Sequence, residues 1–201
     1  MKKVGNMRIL FLMIFFLASA SFASEEQNIR NFINSVVQNV LDIASSSQTE
    51  PMKKKELISL FHNVVDSNWM SRFAIGNEWK NLNAEQQQDY TLSYERYIEC
   101  LYVEKFKIYD GRQENKIISI KELPRGQASV ETKITAARGD QDVTILYRLR
   151  RDQNNNWKVI DIIAEGISLM TTQRSDFKSE ISQHGLSSLL QNIKEKTKKC
   201  H

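Results

Sequence analysis

Residues 154–177 read NNNWKVIDIIAEGISLMTTQRSDF, a run that passes from a polar turn through an apolar strand and a glycine-marked corner into a helix start. Residues 152–156 are a cluster of turn formers. Trp157, Val159, Ile160, Ile162 and Ile163 then supply the β-branched and aromatic side chains of a half-buried or fully buried strand. Gly166 breaks that run. Thr171 and Thr172 offer hydroxyls that can cap a helix, and Phe177 and Ile181 lie four residues apart on one helical face. The segment therefore predicts strand, corner and helix in that order.

Upstream of it the period of two continues. Residues 117–123, 128–136, 142–150 and 157–164 read as strands, with turn signals at 124–126, 139–140 and 152–156. Four consecutive strands with short links predict an antiparallel meander. Val143, Ile145, Tyr147 and Leu149 alternate with Thr144, Leu146, Arg148 and Arg150, so one face is apolar and needs a cover of helices.

Those helices precede and follow the meander. Ile29, Phe32, Ile33, Val36, Val37, Val40, Leu41 and Ala44 recur at three- and four-residue spacing, which puts them on one stripe. After a break at 45–51, Leu57, Ile58, Phe61, Val64 and Val65 predict a second helix leading into the aromatic segment 69–75. Asn83 reads as an N-cap ahead of Glu85 and Gln86, and Tyr90, Tyr94, Tyr97, Ile98 and Leu101 continue a long helix. Its tyrosine-rich inner face suits an apolar surface that meets water or a polar headgroup at one end, and plain core packing accounts for it equally. Phe177, Ile181, Leu186, Leu189, Leu190 and Ile193 form a closing helical region, interrupted at His184 and Gly185. The expected fold class is α+β, with helices packed on a curved antiparallel β-meander.

The N-terminus carries Lys2, Lys3 and Arg8 around the start of the apolar run 9–17, with Ser21, Phe22 and Ala23 as a small-residue cleavage region. This predicts a secretory signal peptide over residues 1–23; the apolar run falls short of the roughly 18 residues a spanning helix needs. No cysteine stands at the cleavage region, which argues against a lipoprotein. Removing residues 1–23 takes away three basic and no acidic residues and lowers the formal net charge from +4 to +1. Residues 24–201 then form a near-neutral single domain, for which a nucleic-acid partner has no compositional support. Lys194, Lys196, Lys198 and Lys199 crowd the C-terminus, as a solvated tail or as a contact for anionic headgroups or an acidic partner.

Signatures of chemistry are sparse. No G-x-x-x-x-G-K-[ST] or G-x-G-x-x-G occurs. His62, His184 and His201 lack the spacing of a metal site, so no metal, cofactor or catalytic residue is expected. A spatial pairing of Cys100 with His62 as a nucleophile is left open by the sequence. Cys100 reads first as a small buried apolar residue, with a disulfide to Cys200 in an oxidising compartment as the alternative. Asp110 with Gly111 reads as a turn, or as an acid at a pocket mouth. Arg174 and Asp176 read as capping or ion-pairing residues, or as contacts for a lipid phosphate.

Two groups of residues carry a resemblance. In the opening segment they are Trp157, Asp161, Glu165, Gly166, Ser168, Thr172 and Phe177. Upstream, RFAIGNEWKNLNAEQQQDY at residues 72–90 supplies Gly76, Trp79, Glu85, Gln86 and Tyr90. Both resemble the MlaC family, the periplasmic phospholipid-binding component of a system that maintains outer-membrane lipid asymmetry. Gln173 departs from the tyrosine that often precedes the arginine in relatives. The resemblance implies a cone-shaped fold like that of nuclear transport factor relatives, enclosing an apolar cavity between sheet and helices. It implies a periplasmic carrier with phospholipid as cargo, exchanging with an inner-membrane ABC transporter complex and an outer-membrane lipoprotein and porin.

Enclosure follows from the energetics of acyl chains. At about 0.8 kcal/mol per methylene, roughly thirty methylenes represent about 25 kcal/mol against free passage through water. Strand parity nominates as lipid-binding residues Tyr97, Leu101, Ile118, Ile120, Val130, Ile134, Val143, Ile145, Tyr147, Val159 and Ile167. The alternative is a small periplasmic enzyme acting on a hydrophobic substrate on the same scaffold, for which Asp161 and Glu131 are the candidate acids. A structural envelope protein with a solid core is a third reading.

Overall fold

The computed structural model describes residues 6–103, 111–135 and 142–198, with side chains described from residue 24 onward. Helix α1 (Asn6–Ser45) is followed by α2 (Glu50–Val64), α3 (Ser67–Ile75), a 3₁₀ turn (Gly76–Asn81) and α4 (Ala84–Val103). The sheet comprises β1 (Glu114–Leu123), β2 (Gln127–Thr135), β3 (Val143–Arg151), β4 (Trp157–Ala164) and β5 (Ile167–Ser168), and α5 (Leu169–His184) and α6 (Leu186–Lys198) close the chain. The strands pair antiparallel in sequence order. This is the expected meander with one addition, the two-residue β5. That strand is too short to leave a periodic signal.

Two large cores hold these elements, beside a smaller one of Val40, Leu57 and Val103 between α1, α2 and α4. Ile29, Ile33, Val37 and Leu41 of α1 pack on Ala128, Val130, Tyr147, Leu149, Trp157 and Val159 of the sheet, so the predicted helical stripe covers the predicted dry face. The second core is helical. Met70, Ala74 and Ile75 of α3 meet Tyr90, Tyr94, Ile98 and Tyr102 of α4, with Met170 and Phe177 of α5 and Leu189 and Ile193 of α6.

Val65 packs against both cores and forms a parallel bridge with Val159. Next to it the Asp66 N–H donates to the Val159 carbonyl at 3.0 Å. One oxygen of the Asp66 carboxylate accepts from the Trp69 N–H at 2.9 Å and starts α3; the other holds Arg150 of β3. One short segment thus fastens the helical half to the sheet.

Local chemistry explains most boundaries. Asn83 starts α4 through a reciprocal capping box: its Oδ1 accepts from the Gln86 N–H, and the Gln86 Oε1 accepts from the Asn83 N–H, both at 2.9 Å. In the turn between β3 and β4, the Asp152 carboxylate accepts from the N–H groups of Asn154 and Asn156 at 2.9 Å. The bond from Asn156 is the first cause holding that carboxyl below its ordinary range. Gly111 sits at φ +82°, where a Cβ would lie 2.3 Å from that of Ser45, so only glycine fits against the end of α1. Asp110 lies outside the described residues.

The corner between β4 and β5 is a two-residue turn with positive φ at both Glu165 (51°) and Gly166 (81°). Primed turns of this kind want Asn or Gly at the first position, and a glutamate there is strained. Glu165→Asn is expected to stabilise the protein by about 0.5–1 kcal/mol, read as a higher denaturant midpoint. An unchanged or lower midpoint would show that Glu165 makes a compensating contact.

Two expectations are corrected, and one pairing that the sequence left open is closed. Helix α5 starts earlier than Thr171, because Ser168 caps it and accepts from the Thr171 N–H at 3.0 Å. Cys100 is disulfide-bonded and is not a free buried thiol; Cys200 lies outside the described residues. His62 does not pair with Cys100 as a nucleophile. Its Nδ1 lies 3.1 Å from Glu95 Oε1 and its Nε2 3.1 Å from Glu99 Oε2, and the sulfur it would activate is already oxidised.

Candidate functional site

Asp161 sets the geometry of the site. This carboxylate on β4 is only 4% exposed. It accepts from the Ser168 hydroxyl at 2.6 Å and from the Met170 N–H at 3.1 Å. A buried carboxylate is tolerable at a helix N-terminus, where unpaired N–H groups and the helix dipole favour negative charge. The arrangement turns the chain after β5 and directs α5 across α4. Asp161→Ala strands the buried Met170 N–H and removes the short bond from the Ser168 hydroxyl, which keeps Thr171 as a partner, so a loss of about 2–4 kcal/mol is expected in denaturant unfolding. A loss under about 0.5 kcal/mol would mean that the corner forms without it.

Beyond that corner α4 and α5 meet through a chain of aromatic rings. Tyr90 and Tyr94 have centroids 5.9 Å apart; Phe177 stands edge-on to Tyr94 at 6.2 Å and lies 6.1 Å from Tyr97. The Tyr90 hydroxyl donates to the Ser71 carbonyl at 3.0 Å and that of Tyr94 to Gln173 Oε1 at 2.5 Å. Burial pushes the phenols of Tyr90, Tyr94 and Tyr102 well up, with the Asp161 charge adding to the effect on Tyr94 and Tyr102. Tyr97 is raised first by burial and further by Asp176, while a hydrogen bond with Gln173 works in the other direction.

At the end of this chain the three helices α4, α5 and α6 leave a pocket of ≈ 280 Å³. Tyr97, Leu101, Tyr102, Leu169, Phe177, Leu189 and Ile193 form its apolar wall. Thr172, Gln173, Asp176, Glu180, Asn192 and Lys196 are its polar lining. Leu101 is 41% exposed and stands at the mouth.

Of the eleven nominated lining residues, the pocket contains Tyr97 and Leu101. Val130, Tyr147 and Val159 are buried in the core between α1 and the sheet, and Ile120 and Ile145 pack against that core. Ile134 is buried and Val143 half-buried. Ile118 is 51% exposed, where the bulge between Ile117 and Ser119 interrupts the alternation, and Ile167 is 61% exposed beside the two-residue turn. The physical reason is the α1 stripe, which occupies the dry face of the sheet. Parity identified core residues there, while the described pocket lies on the helical side.

The apolar wall from α5 and α6 was legible as a helical stripe in Phe177, Leu189 and Ile193. Asp176 was legible as a capping, ion-pairing or lipid-phosphate residue, whereas Glu180 had no signal beyond its spacing of four from Asp176 on one helix face. Arg174 points away from the pocket: its guanidinium donates to the Phe73 carbonyl at 2.5 Å and lies 4.8 Å from the Phe73 ring. Gly76, at φ +64°, accommodates it, since a Cβ would come within 3.0 Å of its Nη2. Of the C-terminal lysines, Lys194 pairs with Asp89 and Lys198 with Glu195, both at 2.7 Å. Lys196 reaches the pocket, 5.7 Å from the Tyr97 ring; Lys199 lies outside the described residues.

The two candidate acids of the enzyme reading are placed elsewhere. Asp161 is committed to the α5 corner, and Glu131 accepts from the Ser119 hydroxyl at 3.1 Å on the sheet. Among the described residues, no group of three or more His, Cys, Asp or Glu could hold a metal ion, and no helix is long and apolar enough to cross a membrane.

Comparison with known proteins agrees with this architecture. The chain is 22% identical over 123 residues to the intermembrane phospholipid transport system binding protein MlaC of Haemophilus influenzae, covering 60% of this chain and 57% of that protein. The alignment thus spans less than two thirds of that relative. The fold is shared with the phospholipid-binding protein from Ralstonia solanacearum, solved in complex with a phospholipid, at a TM-score of 0.70 and 19% identity, covering 85% of this chain and 97% of the other. The family model described as MlaC protein matches residues 32–195, and on that extent the chain belongs to the MlaC family.

Proposed function

We propose that this protein is a periplasmic phospholipid-binding carrier. It shuttles phospholipid between the outer membrane, at a lipoprotein and porin complex, and an inner-membrane ABC transporter complex, and so maintains outer-membrane lipid asymmetry. Phospholipid is its cargo, and no cofactor or catalytic step is required. The reading is carried by one observation: on a fold shared with a phospholipid-bound protein, three helices leave an aromatic and aliphatic pocket open to solvent. Residues 1–23 serve as the export signal, and residues 24–201 form the lipid-binding domain.

The pocket volume constrains the mechanism. At ≈ 280 Å³ it falls at the lower edge of the roughly 300–1,000 Å³ typical of small-molecule sites, too little for a whole diacyl lipid. Loading therefore parts the helical core from the sheet core along the Val65 seam, where the two touch. Tyr97 and Leu101 make the first contacts. Ile120, Val130, Ile134, Val143, Ile145, Tyr147 and Val159 line the opened interior, and Ile118 and Ile167 approach from the solvent side.

Native mass spectrometry of the protein exported to a periplasm tests this. The expected result is a chain beginning at residue 24 that carries stoichiometric phospholipid, identified after solvent extraction. A lipid-free mass that persists after incubation with phospholipid vesicles would overturn the carrier reading.

A further inference from the structure

We propose that, with the Val65 seam closed, the pocket between α4, α5 and α6 takes a single acyl chain, so that monoacyl amphiphiles are ligands of this protein in their own right; the proposal rests on the reading of this pocket as a lipid site. The lining is graded. Tyr102, Phe177, Leu189 and Ile193 are buried, while Thr172, Asp176 and Asn192 are exposed. Gln173, half-buried in the same lining, accepts from the Tyr94 hydroxyl and bonds with Tyr97, so its amide is engaged with the wall. A lining that is apolar where it is buried and polar where it is exposed receives a chain and leaves the head of the amphiphile in water.

Volume sets the number of chains. At roughly 30 Å³ for a group the size of a water molecule, ≈ 280 Å³ holds about nine methylenes. That is one short chain or the inner part of one long chain, and about a third of the roughly thirty methylenes of a diacyl lipid. The walls do not recede to admit a second chain while the helices stay together. Ile98, Phe177, Leu189 and Ile193, from the same three helices, belong to one packed core, and a close-packed core does not yield such a volume by small adjustments. Lysophospholipids and fatty acids share the required chemistry, one chain with one polar end.

Isothermal titration of the delipidated protein with monoacyl phosphocholines of roughly seven to fourteen carbons, each below its micelle concentration, tests the proposal. Affinity is expected to rise about fourfold per methylene and to break at about nine carbons, beyond which added methylenes stay in water and the change is within about threefold. A fatty acid of about ten carbons is expected to bind within about tenfold of the phosphocholine of equal length, because the head stays solvated; a wider gap overturns recognition by the chain alone. Leu101 is 41% exposed at the mouth, so Leu101→Trp is expected to fold, to move the break to shorter chains and to weaken the lipid of about ten carbons about tenfold. Thr172→Trp, exposed on α5, makes the same test from a second position. A break that stays in place in both folded variants overturns the location. Affinity that climbs without a break, or never climbs, overturns the one-chain pocket, and diacyl lipid that still loads from phospholipid vesicles then leaves the carrier reading standing. Diacyl lipid that fails to load while the break is present overturns the carrier reading and leaves a monoacyl site.

Discussion

Above pH 10 the protein is expected to lose up to about 4 kcal/mol of stability per pH unit, because three phenols ionise in the unfolded chain and stay neutral in the folded one. Tyr90 and Tyr94 have no exposed surface and Tyr102 is 8% exposed. Burial raises all three above their ordinary value near 10. The sign follows from linkage. A group whose folded pKa is raised contributes stability that is fully present below its unfolded pKa and is lost as pH rises through it. Each such group costs about 1.4 kcal/mol per unit once the unfolded phenol is ionised. A domain with the usual stability of about 5–15 kcal/mol unfolds within roughly one to four units above pH 10.

Tyrosinate absorbance and circular dichroism followed together across that range provide the check. These three phenols should ionise only as the helical signal collapses. Tyr90→Phe removes one titrating group, so the dependence above pH 10 should flatten by about one third. At neutral pH it should cost about 1 kcal/mol, for the hydrogen bond lost to the Ser71 carbonyl. Three phenols titrating near pH 10 in folded protein would contradict the burial on which the prediction stands.

Reducing the disulfide at Cys100 is expected to lower stability by about 2–5 kcal/mol, the usual range for removing a native disulfide. Cys100 lies on α4, which also carries Tyr90, Tyr94, Ile98 and Tyr102 of the helical core, so the cross-link is anchored on a helix that this core holds in place. The stabilisation comes mainly from restricting the unfolded chain, so folded structure at neutral pH persists after reduction while its resistance to heat falls. For a chain of this length the melting temperature should drop by about 5–20 °C with reductant, and by a similar amount in Cys100→Ser without it. A shift under about 2 °C would show that the cross-link constrains little.

The order of elements was legible from the amino acids alone because period and turn chemistry are local. The stripe from Ile29 to Leu41, the alternation from Val143 to Leu149, the Asn83 cap and the break at Gly185 each follow from residues a few positions apart, and each is found in the fold. The family signature was legible for a related reason. Asp161, Ser168 and Gly166 all serve one tight corner within eight residues, and such corners tolerate few alternatives.

Which apolar face meets which other face was not legible, because amphipathic patterning identifies a face that must be buried and is silent about its partner. The stripe of α1 and the dry face of the sheet satisfy each other, so Val130, Tyr147 and Val159, nominated by strand parity, became packed interior. The pocket formed where three helices diverge, and it took in Asp176, Glu180 and Lys196 from two elements whose approach no spacing records. The oxidation of Cys100 and the clamping of His62 between Glu95 and Glu99 likewise depend on contacts distant in sequence. Helices, strands and the corner are consequences of neighbouring residues. The pocket, its charges and the seam at Val65 are consequences of how those elements pack, which is a competition among all apolar faces at once.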